Sequence, residues 1–243
     1  MSPKQRIEQQ PSFVLHTYPW RETSLIAEIL SRDHGRVALV AKGARRPQSP
    51  LRGVLMAFQP LLVDWSGGGE VKTLVRAEWQ GGQPLLTGRA LLCGYYLNEL
   101  LVRLTAREDA HPALFAAYAE ALRELARGDA FAPLLRRFEL ALLHELGYGA
   151  GLDAEADSGE PVRPAQDYVY IIERGPVPVA GDLPPAGETP LISGRSLLAM
   201  ARGDFSAAET LAQSKNLLRA IINHYLGGQP LQSRRVLKEL QEL

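Results

Sequence analysis

Cysteine is almost absent from this sequence of 243 residues, in which Cys93 is the single example. One thiol excludes an internal disulfide and a zinc site built on several cysteines, and it is typical of a reducing compartment. No apolar run approaches the roughly 20 residues that a membrane-spanning helix needs. The N-terminal sequence MSPKQRIEQQPS lacks the apolar stretch of a signal peptide. We therefore expect a cytoplasmic protein.

A net charge is also lacking, because 27 basic side chains balance 27 acidic ones. Taken whole, this balance argues against a strongly basic nucleic-acid binder. The charges are nevertheless unevenly distributed. Residues 1–83 carry eleven basic and seven acidic side chains, and the remainder carries the compensating acidic excess. This asymmetry indicates two modules with different partners.

Signatures of catalysis are lacking as well. His144-Glu145 begins like a zinc-protease motif, but Tyr148 stands where the second histidine is required. The five histidines show no metal-ligand spacing, and the glycines at 67–69 are not followed by the lysine and helix of a phosphate-binding loop. We expect neither an enzyme nor a metal or cofactor site.

A metal-dependent nuclease is the enzymatic alternative. It would use the acidic residues of a Gly-rich stretch, namely Asp153, Glu155, Asp157 and Glu160. Such a stretch is a poor platform for metal ligands, which need rigid support.

The first 80 or so residues alternate in the manner of β-strands. The pattern predicts strands over residues 13–18, 23–30, 36–42, 55–65 and 71–79, joined by Gly-containing turns. Pro60 is expected to bend the fourth strand or to mark an edge. Five short strands of this spacing favour a small closed barrel such as an OB-fold, which we place at residues 1–82.

From about residue 85 the apolar period becomes helical. The pattern predicts helices over 85–104 and 112–128, one ending near 146, one from 193, one over 206–225 and a short one from 233. Ser206 and Glu209 have the spacing of a capping box. The predicted fold class is thus α+β: a five-stranded OB-fold barrel followed by an all-α domain at 83–243. Residues 149–192 form an irregular insert with one short strand at 168–172.

Positive charge is densest in residues 42–52, which contain four cations and no acidic residue: Lys42, Arg45, Arg46 and Arg52. Glycine and proline place this segment on a loop between strands, and such a loop can follow a phosphate backbone. Arg36 and Lys72 extend the track if their strands lie alongside. A solvated basic loop without a partner fits these residues equally well.

Two further groups of residues could bind a partner or could have only a structural role. Trp20, Trp65 and Trp79 could stack on nucleic-acid bases, although tryptophans of a small barrel more often belong to its core or rim. In the helical half, Arg136 and Arg137 could clamp a carboxylate at a groove edge. Spacing alone favours a salt bridge to Glu139, Glu145 or Glu99.

Ordered matches over essentially the whole chain resemble one known family. They are PWRETSL at 19–25, GRV at 35–37, VAKGAR at 40–45, GEVKTL at 69–74, YLNELL at 96–101, LRRFELALL at 135–143 with LGYG at 146–149, and YLGGQPL at 225–231 with Ser233-Arg234. This set resembles the bacterial DNA-repair protein family RecO. The helix motif LRRFELALL is the strongest stretch.

The resemblance implies a non-enzymatic recombination mediator, nucleoid-associated in the cytoplasm. Such proteins bind single- and double-stranded DNA, anneal complementary strands, bind the acidic C-terminal tail of single-stranded DNA-binding protein (SSB), and with RecR promote RecA loading. By motif position, Arg136, with Arg137 and Phe138 beside it, is implied to hold the tail. The four zinc cysteines of many relatives are missing, so a zinc-free member is implied. A protein-only adaptor, whose barrel does not bind DNA, is the alternative.

Overall fold

The computed structural model of the protein describes residues 6–128, 130–149, 151–179 and 190–241, with side chains to residue 236. The chain forms two compact units. The first comprises Met1–Asp129 and Leu231–Leu243, and the second comprises Ala130–Pro230. Among the described helices, none is both long and apolar enough to cross a membrane.

Five strands close into a barrel in the first unit: β1 (Arg6–Trp20), β2 (Ser24–Ser31), β3 (Gly35–Ala41), β4 (Pro60–Ser66) and β5 (Val71–Trp79). Their order around the barrel is β1-β2-β3-β5-β4, and all pairs are antiparallel except β3 with β5. The OB-like barrel followed by helices confirms the predicted fold class. Pro60 begins β4 rather than bending it, because proline cannot donate to a strand ladder.

The interior of the barrel explains the alternation of β3. Val37, Leu39 and Ala41 are buried there, and they pack in one cluster with Trp65 and Val63 of β4. A side chain as large as Val37 or Leu39 stabilises the fold by about 1.5–3 kcal/mol when it leaves water. The cost of exposing them fixes the register of β3, since a slip of one residue would turn this face outward.

Seven helices lie in the described residues: α1 (Leu51–Val54), α2 (Gly88–Leu104), α3 (Pro112–Arg127), α4 (Phe131–Glu145), α5 (Gly194–Ala201), α6 (Ala208–Tyr225) and α7 (Gln232–Gln241). The first unit contains α1, α2, α3 and α7. The domain boundary predicted at residue 82 marks the change from strands to helices along the chain. As a boundary between domains it stays a prediction.

Helix α2 is attached to the barrel through a buried amide. The Asn98 amide donates to the Leu15 carbonyl of β1 over 2.8 Å, and its oxygen accepts from the Tyr118 hydroxyl of α3. Burial raises the pKa of Tyr118 far above its ordinary value, so this hydroxyl stays protonated. Cys93 is buried on the same helix, and burial raises the pKa of its thiol, which fits a small core residue rather than a reactive one.

The second unit combines α4, α5 and α6 with a sheet of three antiparallel strands in the order β7-β6-β8: β6 (Asp167–Ile171), β7 (Gly175–Pro178) and β8 (Leu191–Ser193). Of these three strands, only β6 corresponds to a strand that the sequence predicts, at residues 168–172. Part of the predicted insert, residues 180–189, lies outside the described residues.

The predicted capping box at Ser206 and Glu209 is wrong. Helix α6 begins after Ala207, and no side chain caps it. The Ser206 amide donates instead to Asp204, and the Glu209 carboxylate accepts from Gln213. A serine that does cap a helix is Ser193, whose hydroxyl accepts from the Ser196 amide at the start of α5.

Candidate nucleic-acid interface

A groove with a volume of about 460 Å³ runs along one side of the barrel. Its walls are the β1–β2 hairpin, the outer parts of β2 and β3, and the first residue of β5. The residues lining it are Trp20, Arg21, Thr23, Ser24, Ile26, Val40, Lys42, Gly43, Arg46 and Val71. This is the side of an OB-fold barrel, at strands 2 and 3 and the first hairpin, that binds oligonucleotides in many such folds.

The basic loop at residues 42–52 follows β3 and borders this groove. Lys42 and Arg46 are exposed and line it, and Arg45 is exposed against the β1–β2 hairpin on its wall. Arg52 is exposed too, but it lies in the short helix α1 that ends this segment and not on a loop, and it does not line the groove. The Arg46 side chain lies over Gly43, which has a φ of +69°. Glycine adopts this left-handed conformation without steric cost, so it allows the chain to turn directly after the strand.

Arg45 fixes the basic loop to the neighbouring hairpin. Its guanidinium donates to the backbone carbonyls of Arg21 and Glu22 over 3.4 and 3.3 Å, and its backbone amide donates to Thr23 over 2.8 Å. The loop and the hairpin therefore present their cations together. Arg45 acts here through the backbone of its neighbours as well as through its charge.

Arg36 is held inside the first unit rather than on the groove. Its guanidinium donates to the buried Glu28 carboxylate over 3.0 Å and to the Thr105 carbonyl over 3.0 Å. Arg107 pairs with the same carboxylate. The side chain of Arg36 is 13% exposed, and its guanidinium is already held by Glu28 and Thr105, so the structure does not bring it into the predicted track.

Lys72 is likewise occupied by groups of the first unit. Its ammonium donates to the Gly69 carbonyl over 2.9 Å and pairs with Glu108, and its side chain is 10% exposed. Close packing continues at Gly35, where a Cβ atom would lie 1.9 Å from the Asp109 carbonyl oxygen. Arg36 and Lys72 therefore attach the α2–α3 loop to the barrel.

Ion pairing separates the basic residues of the barrel into two groups. Among the described residues, the strand and turn cations pair with carboxylates: Arg6, Arg32, Arg36, Lys72 and Arg76. The described barrel cations that have no carboxylate within salt-bridge distance all lie on the β1–β2 hairpin or the basic loop: Arg21, Lys42, Arg45, Arg46 and Arg52. The positive excess of the first 83 residues is thus concentrated beside the groove.

Sequence reasoning missed Arg21 and left Trp20 undecided. Arg21 stands next to Glu22 and so falls outside any acid-free run of cations. Trp20 is 44% exposed on the groove, whereas Trp65 is 1% exposed in the barrel core. Trp79 is 58% exposed at the far end of β5, and its indole N–H donates to Gln59. A signal that could have located Arg21 is its place in the first hairpin of a five-stranded barrel.

A second cleft, of about 590 Å³, lies within the second unit. Helix α4 supplies Arg137, Leu140, Ala141 and His144 to its wall. The end of α5 supplies Met200 and Ala201, and the segment after α4 supplies Leu152 and Asp153. The cleft therefore combines an apolar surface with an arginine at its edge.

The three predicted tail-binding residues lie in different surroundings on α4. Arg137 is exposed on the cleft wall. Arg136 is 9% exposed, and its guanidinium donates to the buried Glu139 carboxylate over 2.7 Å, the salt bridge that spacing favours. Phe138 is 3% exposed and belongs to the core. Arg137 is thus the member of this cluster that faces the open cleft.

The acidic residues of the insert do not converge. Asp157 pairs with Arg174, Glu160 pairs with Arg163, and Glu155 accepts from Ser158 and Tyr168. Within the described part of the chain, no group of three or more histidine, cysteine, aspartate or glutamate residues could hold a metal ion. The structure therefore offers no support for the nuclease alternative.

Comparisons with known proteins cover both halves of the chain. A family model described as "Recombination protein O N terminal" matches residues 5–82, and one described as "Recombination protein O C terminal" matches residues 85–235. The DNA repair protein RecO of Aromatoleum aromaticum is 79% identical over 243 residues, covering 100% of both chains. That of Azoarcus sp. is 71% identical over 245 residues, again over 100% of both. That of Nitrosospira multiformis is 53% identical, over 99% of this chain and 98% of its own. The chain therefore belongs to the family of the DNA repair protein RecO.

Proposed function

We propose that this protein is a non-enzymatic recombination mediator in DNA repair. It binds single- and double-stranded DNA, anneals complementary strands, captures the SSB tail and, with RecR, promotes RecA loading. The observation that carries the DNA-binding part is the concentration of the unpaired barrel cations beside one groove. Membership of the RecO family supports the mediator role as a whole.

The barrel binds the phosphate backbone through the basic loop and the first hairpin. Lys42 and Arg46 line the groove, and Arg45 and Arg52 add two exposed positive charges on the same segment. Each phosphate that these side chains neutralise releases counterions, so the affinity falls with rising salt and depends little on sequence. Arg36 and Lys72 act indirectly in this proposal, by holding the α2–α3 loop against the barrel.

The second unit captures the acidic and apolar tail of SSB in its cleft. Arg137 meets a carboxylate of the tail, while Leu140, Ala141 and Met200 receive its apolar side chains. A guanidinium can hold a carboxylate with two parallel hydrogen bonds, which gives this contact its direction. Arg136 positions α4 by pairing with Glu139, and Phe138 supports the helix from the core.

Two weak sites on one chain raise the effective concentration of the protein on SSB-coated strands. The tail contact retains the protein where SSB has bound, and the barrel then engages the DNA. Neutralising the phosphates of two nearby strands favours their annealing, and no bond is broken or formed in this process.

The test is the annealing of complementary strands, bare or coated with SSB, using intact SSB or SSB without its tail. We expect K42E/R46E to abolish annealing in every case. We expect R137A to slow annealing only on strands coated with intact SSB. Equal annealing by wild type and K42E/R46E would overturn the proposed DNA site, and cleavage of the strands with Mg²⁺ or Mn²⁺ would overturn the non-enzymatic assignment.

A further inference from the structure

An indole ring lines the groove together with the cations that have no carboxylate partner. Trp20 is the last residue of β1, and its backbone pairs with Ser24 across the hairpin. Its side chain is 44% exposed, an unusual degree of exposure for the largest apolar side chain. Val40 and the 43%-exposed Val71 line the same groove. The groove therefore has an apolar, aromatic side as well as a cationic one.

The hairpin that carries this ring is held in an unfavourable but well-supported conformation. Arg21 has a φ of +52°, in the left-handed region that non-glycine residues seldom adopt. The guanidinium of Arg21 lies 6.0 Å from the centroid of the Trp20 ring, at the outer limit of a cation–π contact. The Arg45 guanidinium holds the carbonyls of this turn. The ring is thus positioned by neighbours on the same hairpin and on the basic loop.

We propose that Trp20 is a stacking platform for one unpaired base of a DNA strand in this groove. The phosphates on either side of that nucleotide meet Lys42 and Arg46, which line the same groove. Aromatic stacking tolerates any base, because every base has a π-face. This assignment rests on the proposed DNA binding and adds to it a residue that distinguishes single strands from duplexes.

The distinction follows from the geometry of stacking. In a duplex, both faces of a base are covered by its neighbours, so Trp20 contributes only where a base is unpaired. The cations, in contrast, meet phosphates in both kinds of DNA. The groove therefore holds duplex through charge alone and single strands through charge and stacking together.

Trp79 provides a matched control in the same barrel. It is more exposed than Trp20, at 58%, but it lies where β5 ends, opposite Leu61 of β4, and it does not line the groove. Its indole N–H is bonded to Gln59. Truncation of Trp79 removes an exposed indole without touching the proposed platform.

The experiment measures the affinity of the full-length protein for an oligothymidylate and for an abasic strand of equal length. Both probes carry the same phosphates, and only the first has bases. For W20A we expect about a 5- to 150-fold loss of affinity for the oligothymidylate, the range that one stacked base contributes. We expect no loss for the abasic strand, and partial recovery in W20F. W79A should match wild type on both strands.

The outcomes separate this assignment from the proposed function on which it rests. Wild-type protein that fails to bind either strand would overturn the DNA-binding proposal itself. Wild-type protein that binds both strands equally, or W20A that loses affinity for both by the same factor, would overturn the stacking assignment alone. In a W79F background, quenching of exposed indole fluorescence by the oligothymidylate but not by the abasic strand would support it independently of any loss of stability.

Discussion

The salt dependence of DNA binding tests the proposed phosphate track most directly. Five exposed cations without a carboxylate partner lie on the first hairpin and the basic loop, the two segments that border the groove: Arg21, Lys42, Arg45, Arg46 and Arg52. Each phosphate contact on a single strand contributes about 0.7 to the slope of log affinity against log salt, so five contacts give a slope of about 3.5. Between about 50 and 200 mM salt the affinity should therefore fall roughly 100-fold.

The double variant K42A/R46A removes the two basic side chains of the loop that line the groove. Its slope should drop to about 2, and its affinity should fall only about 20-fold over the same range of salt. The assay is the fluorescence anisotropy of a labelled oligothymidylate, titrated at four or five salt concentrations.

A second double variant, R32A/R76A, removes the same amount of charge from elsewhere on the barrel. Arg32 pairs with Asp33 and Arg76 pairs with Glu78, and neither lines the groove. The slope of this control should match that of wild type. If both double variants lowered the slope equally, the protein would be responding to its net charge and not to a localised track, and the reasoning would be refuted.

Three further predictions concern individual residues. R21G should stabilise the protein by up to about 1 kcal/mol in thermal denaturation, because glycine adopts the positive φ of Arg21 without strain. The same variant should lower the salt slope of DNA binding, measured by anisotropy, by about 0.7, because one cation is lost. R136A should lower the free energy of unfolding by about 3 kcal/mol, because it removes the cation beside the buried Glu139 carboxylate. R137A should instead weaken SSB-tail binding in calorimetry and change the free energy of unfolding by no more than about 0.5 kcal/mol. Glu99 accepts from the Gln232 and Ser233 amides and the Ser233 hydroxyl; although burial alone would raise its pKa, these bonds and Arg103 lower it below the ordinary value of 4.5. The stabilisation of the start of α7 by Glu99 is therefore complete above pH 4.5 and is lost as the pH falls through the lowered pKa. Hydrogen exchange of the Gln232 and Ser233 amides should accelerate over that acidic range, and in E99A it should be fast already at neutral pH.

Local patterns were sufficient for most elements of the fold. The alternation of residues 36–42 predicted β3 because the inward and outward faces of that strand have different surroundings. Residues 175–178 form β7 although two of the four residues are prolines, Pro176 and Pro178, which normally argue against a strand. This strand is short and lies at one edge of its sheet, where a missing donor is tolerated, and no local pattern predicts that placement.

The candidate site was harder to predict, because the partner of each charge decides its role. Lys42 and Arg46 follow a strand into a Gly- and Pro-containing loop, and their exposure could be expected from composition. Lys72 and Arg36 have the same charge, but Glu108 and the Thr105 carbonyl reach them from a loop distant in sequence. Such long-range pairing leaves no mark in the local sequence.

The zero net charge of the chain thus conceals an uneven distribution of the cations that have no carboxylate partner. Within the described barrel, cations on strands and tight turns pair with nearby carboxylates, and a paired cation releases few counterions from DNA. The cations of the first hairpin and the basic loop lack such partners, so the same number of charges acts far more strongly there. Ion pairing elsewhere therefore strengthens the contrast between groove and surroundings, and this contrast is the basis of the proposed binding of a polyanion at the groove of a chain that is neutral as a whole.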